Sequence, residues 1–389
     1  RPDGWLEVQW GGLEYTLHHS GRSLSLDEMR LVGAIGNVLS ARFRRLYYTG
    51  SEVTSFDLFR GLPEDHYVSA YLHPAPFNGA LIPAAADRIS TAIELLRIAS
   101  LTTYENRRVS TGVLLLGSNE RPAPSGAVPY DSGLSAIKSF HRLSDGLRTV
   151  FAVNAGGLLV DLVDIEDFAC APGQLPAPSP AIYQAHARAT LDAGHLCLAL
   201  TPSGEIKIWA GGVQQFNFLG GRWRLTEAVE RYRVWVRAIG DERLAGILFT
   251  AALNMAEARH GGIFVVLDEA GSARQFVSAS DLLFDGESLR GKKDRIQYLL
   301  RGRRALEMSP AILETISRVD GAIVLDRESN LLAFGAILRH DLTAAAETEI
   351  VEGSRTTAAI ESSRYGSVLK ISEDGLVSFY QNRRRVWEI

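Results

Sequence analysis

Along this chain, stretches in which every second residue is apolar give way repeatedly to stretches in which every third or fourth is. That alternation predicts an α/β protein. Trp5-Leu6-Glu7-Val8-Gln9-Trp10 has period two and reads as a strand ending at Gly11-Gly12. Ser25, with Glu28 three residues on, is expected to cap a helix that Met29, Val32, Ile35, Val38 and Leu39 continue. Residues 89–101 predict a second helix and 113–116 a buried strand. The proline-rich stretches 122–130 and 172–180 are breaks, and 157–163 between them reads as a strand. A helix over 181–191 then leads to a hairpin of 196–200 and 205–209 around Thr201-Pro202-Ser203-Gly204. The glycine pairs at 211–212 and 220–221 read as turns.

Beyond residue 225 the pattern is cleaner. One helix runs through Ala228, Val229, Tyr232 and Trp235, and a second spans 244–258 with Leu244, Ile247, Leu248, Ala251 and Met255 on one face. Gly261-Gly262 and the apolar strand 263–267 follow, then a polar segment to about Arg304 and a short helical turn from Ser309-Pro310. Next come a strand opened by Asp320-Gly321-Ala322, its hairpin partner over 331–338, and a helix opened by Gly353. The last elements are a strand at 368–371, the turn Ser372-Glu373-Asp374-Gly375 and a strand at 376–380. The order helix, glycine, strand, turn, strand occurs at 184–209 and again at 356–380, a hint that the middle segment is a decayed relative of the last. The expected organisation is a divergent α/β region over 1–230, with internal breaks near 122–130 and 172–180. A second domain, with a mixed central sheet flanked by helices, is expected over 231–389.

Composition narrows the class. With 389 residues the chain is too long for one ordinary core, and 46% hydrophobic against 22% charged residues is the balance of a globular protein. A formal net charge of -4 argues against a nucleic-acid-binding surface, and Arg301–Arg304 and Arg383–Arg385 read as solvated charge. No apolar run approaches the length needed to span a bilayer, and no leader is visible, so a cytoplasmic location without a membrane partner is expected. Cys170 and Cys197 stand outside any zinc spacing and read as small core residues. His186, His195, His260 and His340 stand without partners at ligand spacing and receive no role.

Three segments carry candidate chemistry. Gly353-Ser354-Arg355 opens a helix, with Ser354 as the expected N-cap; unpaired N–H groups and the helix dipole favour an anion there, and Arg355 adds a planar fork suited to phosphate. Asp320, just before an apolar strand, could hold a divalent cation or accept a proton. The Ser372 turn is a second acidic source. Asp-Gly and Ser-Glu-Asp-Gly are also ordinary turn sequences, and Arg355 also reads as a solvated helix residue, so both readings stand at this level.

From Leu244 to Tyr380 the order of these segments resembles the diadenylate cyclase (DAC) domain, which joins two ATP molecules into cyclic di-AMP. The resemblance rests on Gly261-Gly262-Ile263-Phe264-Val265-Val266-Leu267, Asp320-Gly321-Ala322-Ile323-Val324, Leu332-Ala333-Phe334-Gly335-Ala336, Gly353-Ser354-Arg355-Thr356-Thr357 and Ile371-Ser372-Glu373-Asp374-Gly375. It implies that Asp320 serves metal binding and, if the protein is active, catalysis. It also implies nucleotide contacts from Gly321, Ala322, Gly353, Ser354, Arg355, Thr356, Thr357, Ser372 and Glu373. Asp374 would be a second metal ligand, magnesium or manganese would arrive with the nucleotide, and ATP or a cyclic dinucleotide would be the partner. Because two such domains meet face to face in that family, a homo-oligomer is among the expected partners.

This chain departs from the pattern where it matters. The family's Arg-His-Arg is here Arg355-Thr356-Thr357, and its common histidine before the aspartate is Val319. Two hydroxyls in place of two cations weaken the hold on a triphosphate, since charge-assisted bonds are about twice as strong as neutral ones. The pattern is similar to the diverged, DACNV-type sensor branch proposed to detect nucleotides in bacterial defence or signalling. The expectation is therefore a nucleotide-binding sensor with little or no cyclase activity. The alternatives are an active cyclase or nucleotidyltransferase, and an interaction module with a vestigial pocket.

Overall fold

Two mixed sheets flanked by helices absorb nearly all of the apolar runs. A computed structural model describes residues 5–10, 13–18, 23–48, 62–72, 87–117, 121–132, 140–169, 173–192, 194–283, 297–339 and 353–389. The chain divides into a first unit (residues 1–175 and 185–227) and a second (residues 176–184 and 228–389).

The first unit opens with the antiparallel pair β1 (Trp5–Trp10) and β2 (Leu13–His18), followed by α1 (Leu26–Tyr48), α2 (Pro63–Leu72) and α3 (Arg88–Ser100). Ser25 and Glu28 form the expected capping box, each backbone N–H donating to the other's side chain at 2.9–3.0 Å. The short pair β3 (Thr103–Tyr104) and β4 (Arg107–Arg108) precedes β5 (Thr111–Leu115), β6 (Thr149–Val153) and β7 (Leu159–Asp164). Helix α4 (Gln184–Ala189) leads to β8 (Leu196–Leu200), β9 (Ile206–Ala210), β10 (Val213–Leu219) and β11 (Arg222–Leu225). The seven-stranded sheet runs β7-β6-β5-β8-β9-β10-β11.

The second unit contains α5 (Ala228–Ile239), α6 (Glu242–Glu257), β12 (Gly262–Leu267), α7 (Ala273–Phe276), α8 (Pro310–Ser317), β13 (Ala322–Asp326) and β14 (Leu331–Ala336). It ends with α9 (Ser354–Ser362), β15 (Gly366–Ile371), β16 (Val377–Gln381) and β17 (Arg384–Glu388). Strand β12 is unbroken apolar sequence because both its faces are buried. Phe264 and Val266 pack among Leu244, Leu248 and Phe249 of α6, while Ile263, Val265 and Leu267 pack among Ala358 and Ala359 of α9. No described helix is long and apolar enough to cross a membrane.

Several sequence expectations need correction. The pattern does not mark strands β2, β3, β4, β6, β10 and β11. Arg383–Arg385 are exposed, as expected of solvated charge, but Arg384–Glu388 forms the edge strand β17, in which Trp387 alone is buried. The polar segment after residue 267 holds the short helix α7. Ser354 is the first residue inside α9, and Gly353 occupies the cap without a side-chain bond. Cys197 is buried as expected, whereas Cys170, His340 and the Gly11-Gly12 pair lie outside the described residues.

The two sheets share one plan. In each, a central strand (β5, β12) runs parallel to its neighbour on one side (β6, β13) and antiparallel to its neighbour on the other (β8, β15), and further antiparallel strands extend both edges. The correspondence extends to side chains. Arg108, three residues before β5, donates from Nη1 to the carbonyl of Ser203 in the turn after β8. Arg259, three residues before β12, donates from Nη1 to the carbonyl of Asp374 in the turn after β15. Both turns close alike, Gly204 N–H to the Thr201 carbonyl at 2.9 Å and Gly375 N–H to the Ser372 carbonyl at 3.0 Å. Each unit also has an Asp-Gly pair, 145–146 and 320–321, ahead of its parallel partner strand. The repeat glimpsed at 184–209 and 356–380 is part of this larger correspondence.

In the first unit the Asp-Gly pair is consumed by its own turn. Asp145 Oδ1 accepts from the N–H groups of Leu147, Arg148 and Thr149 at 2.7–3.0 Å. The imidazole of His186, fully buried and 4.8 Å from the Trp209 ring, hydrogen bonds through Nε2 to the Gly146 carbonyl at 2.9 Å. Burial pushes that imidazole down to about 4, against an opposing pull from the carbonyl and Asp145. Between that value and the ordinary ~6.5, the unfolded chain binds a proton that the folded chain refuses. The stability of wild type relative to His186→Gln should therefore be flat above about pH 6.5. It should fall by up to ~1.4 kcal/mol per pH unit on acidification toward 4 and level off below. Urea denaturation across this range measures it.

Candidate functional site

The site follows from strand direction. Strands β12 and β13 are parallel, with Ile263 opposite Ala322, so the loops that lead into them lie at the same sheet edge. Strand β15 is antiparallel to β12, with Ile371 opposite Gly262, so the turn that leaves it lies there too. These three loops, with the start of α9, surround a cleft of about 290 Å³ lined by Arg259, His260, Gly261, Ser317, Arg318, Asp320, Gly321, Arg355 and Glu373. It sits at the amino ends of the parallel pair, not the carboxyl ends where doubly wound sheets hold their ligands.

Local structure explains each position. Helix α6 ends in a Schellman-type cap: His260 N–H donates to the Met255 carbonyl at 2.9 Å and Arg259 N–H to that of Ala256 at 3.1 Å. The left-handed position of that cap, usually glycine, is Arg259 at φ 56°. The cap turns Arg259 and His260 toward the cleft. Helix α8 starts at Pro310 and stops after Ser317, which leaves Arg318 at its C-terminus, where a cation complements the dipole. Gly321 has φ 127°, and a Cβ there would fall 2.3 Å from the backbone of Gly335. The glycine of the Asp-Gly pair is thus required by close packing, and the aspartate is left exposed beside it.

Of the residues singled out from sequence, Asp320, Gly321, Arg355 and Glu373 line the cleft together. Ala322 is buried at the start of β13, and Gly353 and Ser354 are exposed at the start of α9. Thr356 is buried, and its hydroxyl accepts from Lys370 Nζ at 3.0 Å; Thr357 is half-buried on the next position. Ser372 and Asp374 face each other within the turn, with Oγ to Oδ2 at 3.3 Å. Sequence reading missed Arg259, His260 and Arg318. The available signal was an arginine or histidine immediately after each helix that precedes a parallel strand.

The electrostatics are mixed. Three guanidiniums face two carboxylates, leaving a net positive charge before His260 is counted. Arg355 Nη1 lies 2.6 Å from Glu373 Oε1, and Arg355 holds the Glu373 carboxyl below the usual carboxylate range, helped by His260. The pair is exposed and open to screening by salt. Arg318 and Asp320 have no side-chain hydrogen bond or ion pair among the described residues. No cluster of three His, Cys, Asp or Glu side chains stands at metal-binding distance among the described residues. With Glu373 on Arg355 and Asp374 on Ser372, Asp320 is the carboxylate at the cleft that could hold a cation.

No family model matches the chain, and no curated protein matches it. Among solved structures it is similar to a hypothetical membrane spanning protein from Bacillus cereus, at 18% identity over 41% of this chain and 70% of that one, TM-score 0.31. It is also similar to a double cysteine mutant of DacA from Staphylococcus aureus, at 20% identity over 37% of this chain and 86% of that one, TM-score 0.25. At these TM-scores neither likeness bears on the chemistry of the cleft.

Gly261 gives a direct handle on the cleft. A Cβ at this position would fall 2.3 Å from Arg355 Nη1, so the guanidinium lies in space that only glycine leaves open. The obstructed atom is the end of a flexible side chain, so Gly261→Ala should keep the fold and displace Arg355 from Glu373. The Glu373 carboxyl should then titrate at higher pH than in wild type, nearer the ordinary ~4.3, as followed by carbon-detected NMR.

Proposed function

We propose that the second unit binds a nucleotide through its phosphates and works as a sensor rather than as an efficient catalyst. The observation that carries the reading is the convergence of Arg259, Arg318 and Arg355 with Asp320 in one cleft. Guanidinium forks match phosphate geometry and stay charged at any physiological pH. Asp320, exposed and without a described partner, would hold magnesium or manganese carried in by the nucleotide, and that ion would neutralise phosphate charge. ATP and a cyclic dinucleotide are the two ligand classes that the sequence resemblance supports, in a setting of bacterial nucleotide signalling or defence.

Weak turnover follows from the same charges. Phosphoryl transfer depends on positive groups held around the charge that develops in the transition state. Position 356, a cation in the related cyclases' pattern, is here a threonine whose hydroxyl is buried against Lys370, and position 357 is likewise uncharged. Two of the three arginines in the cleft are already engaged, Arg259 with the Asp374 carbonyl and Arg355 with Glu373. The exposed Asp320 favours a second reading, an active diadenylate cyclase.

Calorimetry on the full chain with ATP, GTP and cyclic di-AMP separates these readings. Saturable binding of one ligand per chain is expected, weakened ~10- to 100-fold in Arg355→Ala and in Arg318→Ala, the loss typical of a charged hydrogen bond. Asp320→Asn should remove the dependence on magnesium while leaving metal-free binding in place. Accumulation of a cyclic dinucleotide from ATP and manganese, lost in Asp320→Asn, would replace the sensor with the cyclase. Absence of heat with all three nucleotides would leave a scaffold.

A further inference from the structure

Resting on the phosphate-binding reading of this cleft, we propose that Glu373 is a built-in counter-anion, which holds the Arg355 guanidinium until a ligand's phosphate takes its place. The contact is short, 2.6 Å from Nη1 to Oε1, yet Arg355 and Glu373 remain 44% and 66% exposed. An exposed ion pair adds little to stability and both partners stay solvated, so exchange for another anion is cheap. A phosphate presents two oxygens to a guanidinium as a carboxylate does and can carry more charge. The guanidinium lies against Gly261, in a slot at the cleft that any Cβ would fill, so the backbone leaves it room beside the bound anion.

The first unit shows that the fold does not need this pair. In the matching turn, position by position, Pro202 stands where Glu373 stands, while Thr201, Ser203 and Gly204 reproduce the backbone closure of Ser372, Asp374 and Gly375. Helix α4 carries Gln184 and Ala185 in its first turn and no arginine. Arginine and glutamate thus occur together in the unit with the cleft and are both missing from the unit whose Asp-Gly carboxylate is bound up in its own turn. An arriving phosphate also finds Arg318 in the same cleft without a described partner, so it has an anchor while the exchange at Arg355 takes place.

The test is calorimetric titration of the full chain with inorganic pyrophosphate in chelator-treated buffer, comparing wild type with Glu373→Gln. The variant should bind about three- to tenfold tighter, since it loses both the competing carboxylate and its repulsion of the ligand. A second readout is proton uptake. At pH 5 wild type should take up more protons on binding than the variant, as Glu373 gives up its guanidinium; the ligand's own phosphates contribute to the buffer-dependent heat in both proteins, and the difference between them reports Glu373. Binding by the variant alone would also support the proposal. Equal or weaker binding by the variant, with wild type still binding, overturns it and makes Glu373 a bystander or a ligand-holding group. If neither protein binds pyrophosphate, the phosphate reading itself fails and the proposal falls with it.

Discussion

The pairing of β12 with β13 on one side and β15 on the other is the constraint on which the rest of the second unit depends. One parallel and one antiparallel neighbour bring two strand starts and one strand end to the same edge, with Ile263 opposite Ala322 and Gly262 opposite Ile371. No residue of the cleft could reach the others without that register. A slip by one residue would turn Phe264 and Val266 away from α6 and exchange both buried faces of the sheet, so the hydrophobic core holds the site in alignment.

The recurrence of this plan in the first unit separates residues that serve the fold from residues that serve the cleft. An arginine ahead of the central strand, bonded to a carbonyl of the far turn, occurs twice, so Arg259 has a structural task in addition to its place at the cleft. A glycine packed against a neighbouring backbone also occurs twice: a Cβ on Gly146 would fall 2.5 Å from the Thr111 carbonyl, as one on Gly321 would meet Gly335. What differs is the charge. Asp145 spends its carboxylate on three backbone N–H groups and Asp320 does not, while Arg355 and Glu373 have no match in the corresponding helix and turn. The same sheet edge thus closes on itself in one unit and leaves an open, charged cleft in the other.

Charge in the cleft is distributed among loops rather than gathered in one motif. At 355–357 the structure leaves Arg355 exposed at the cleft, turns Thr356 inward to Lys370 and half-buries Thr357. Arg259 and Arg318, from the ends of two helices, supply positive charge from elsewhere. Such a cleft favours an anion without surrounding it, and its exposed arginine–glutamate pair is sensitive to salt.

Periodicity was enough to locate β5, β8, β9, β12, β13, β15 and β16 and the helices beside them, because an apolar run or stripe is a local property of the chain. Among the strands it did not mark, two escaped it for reasons visible in their burial and surroundings. In β17 the single buried Trp387 lies behind three exposed residues at a sheet edge, and β6 follows a loop rich in polar residues. Asp320, Arg355 and Glu373 were also legible locally as candidates, from a strand start, a helix start and a turn. Their meeting was not, nor was the company of Arg259, His260 and Arg318. These residues are separated by tens of positions along the chain, and what brings them together is the direction and register of strand pairing. That is settled by burying both faces of the sheet at once, a property of the whole core that no short window of sequence contains.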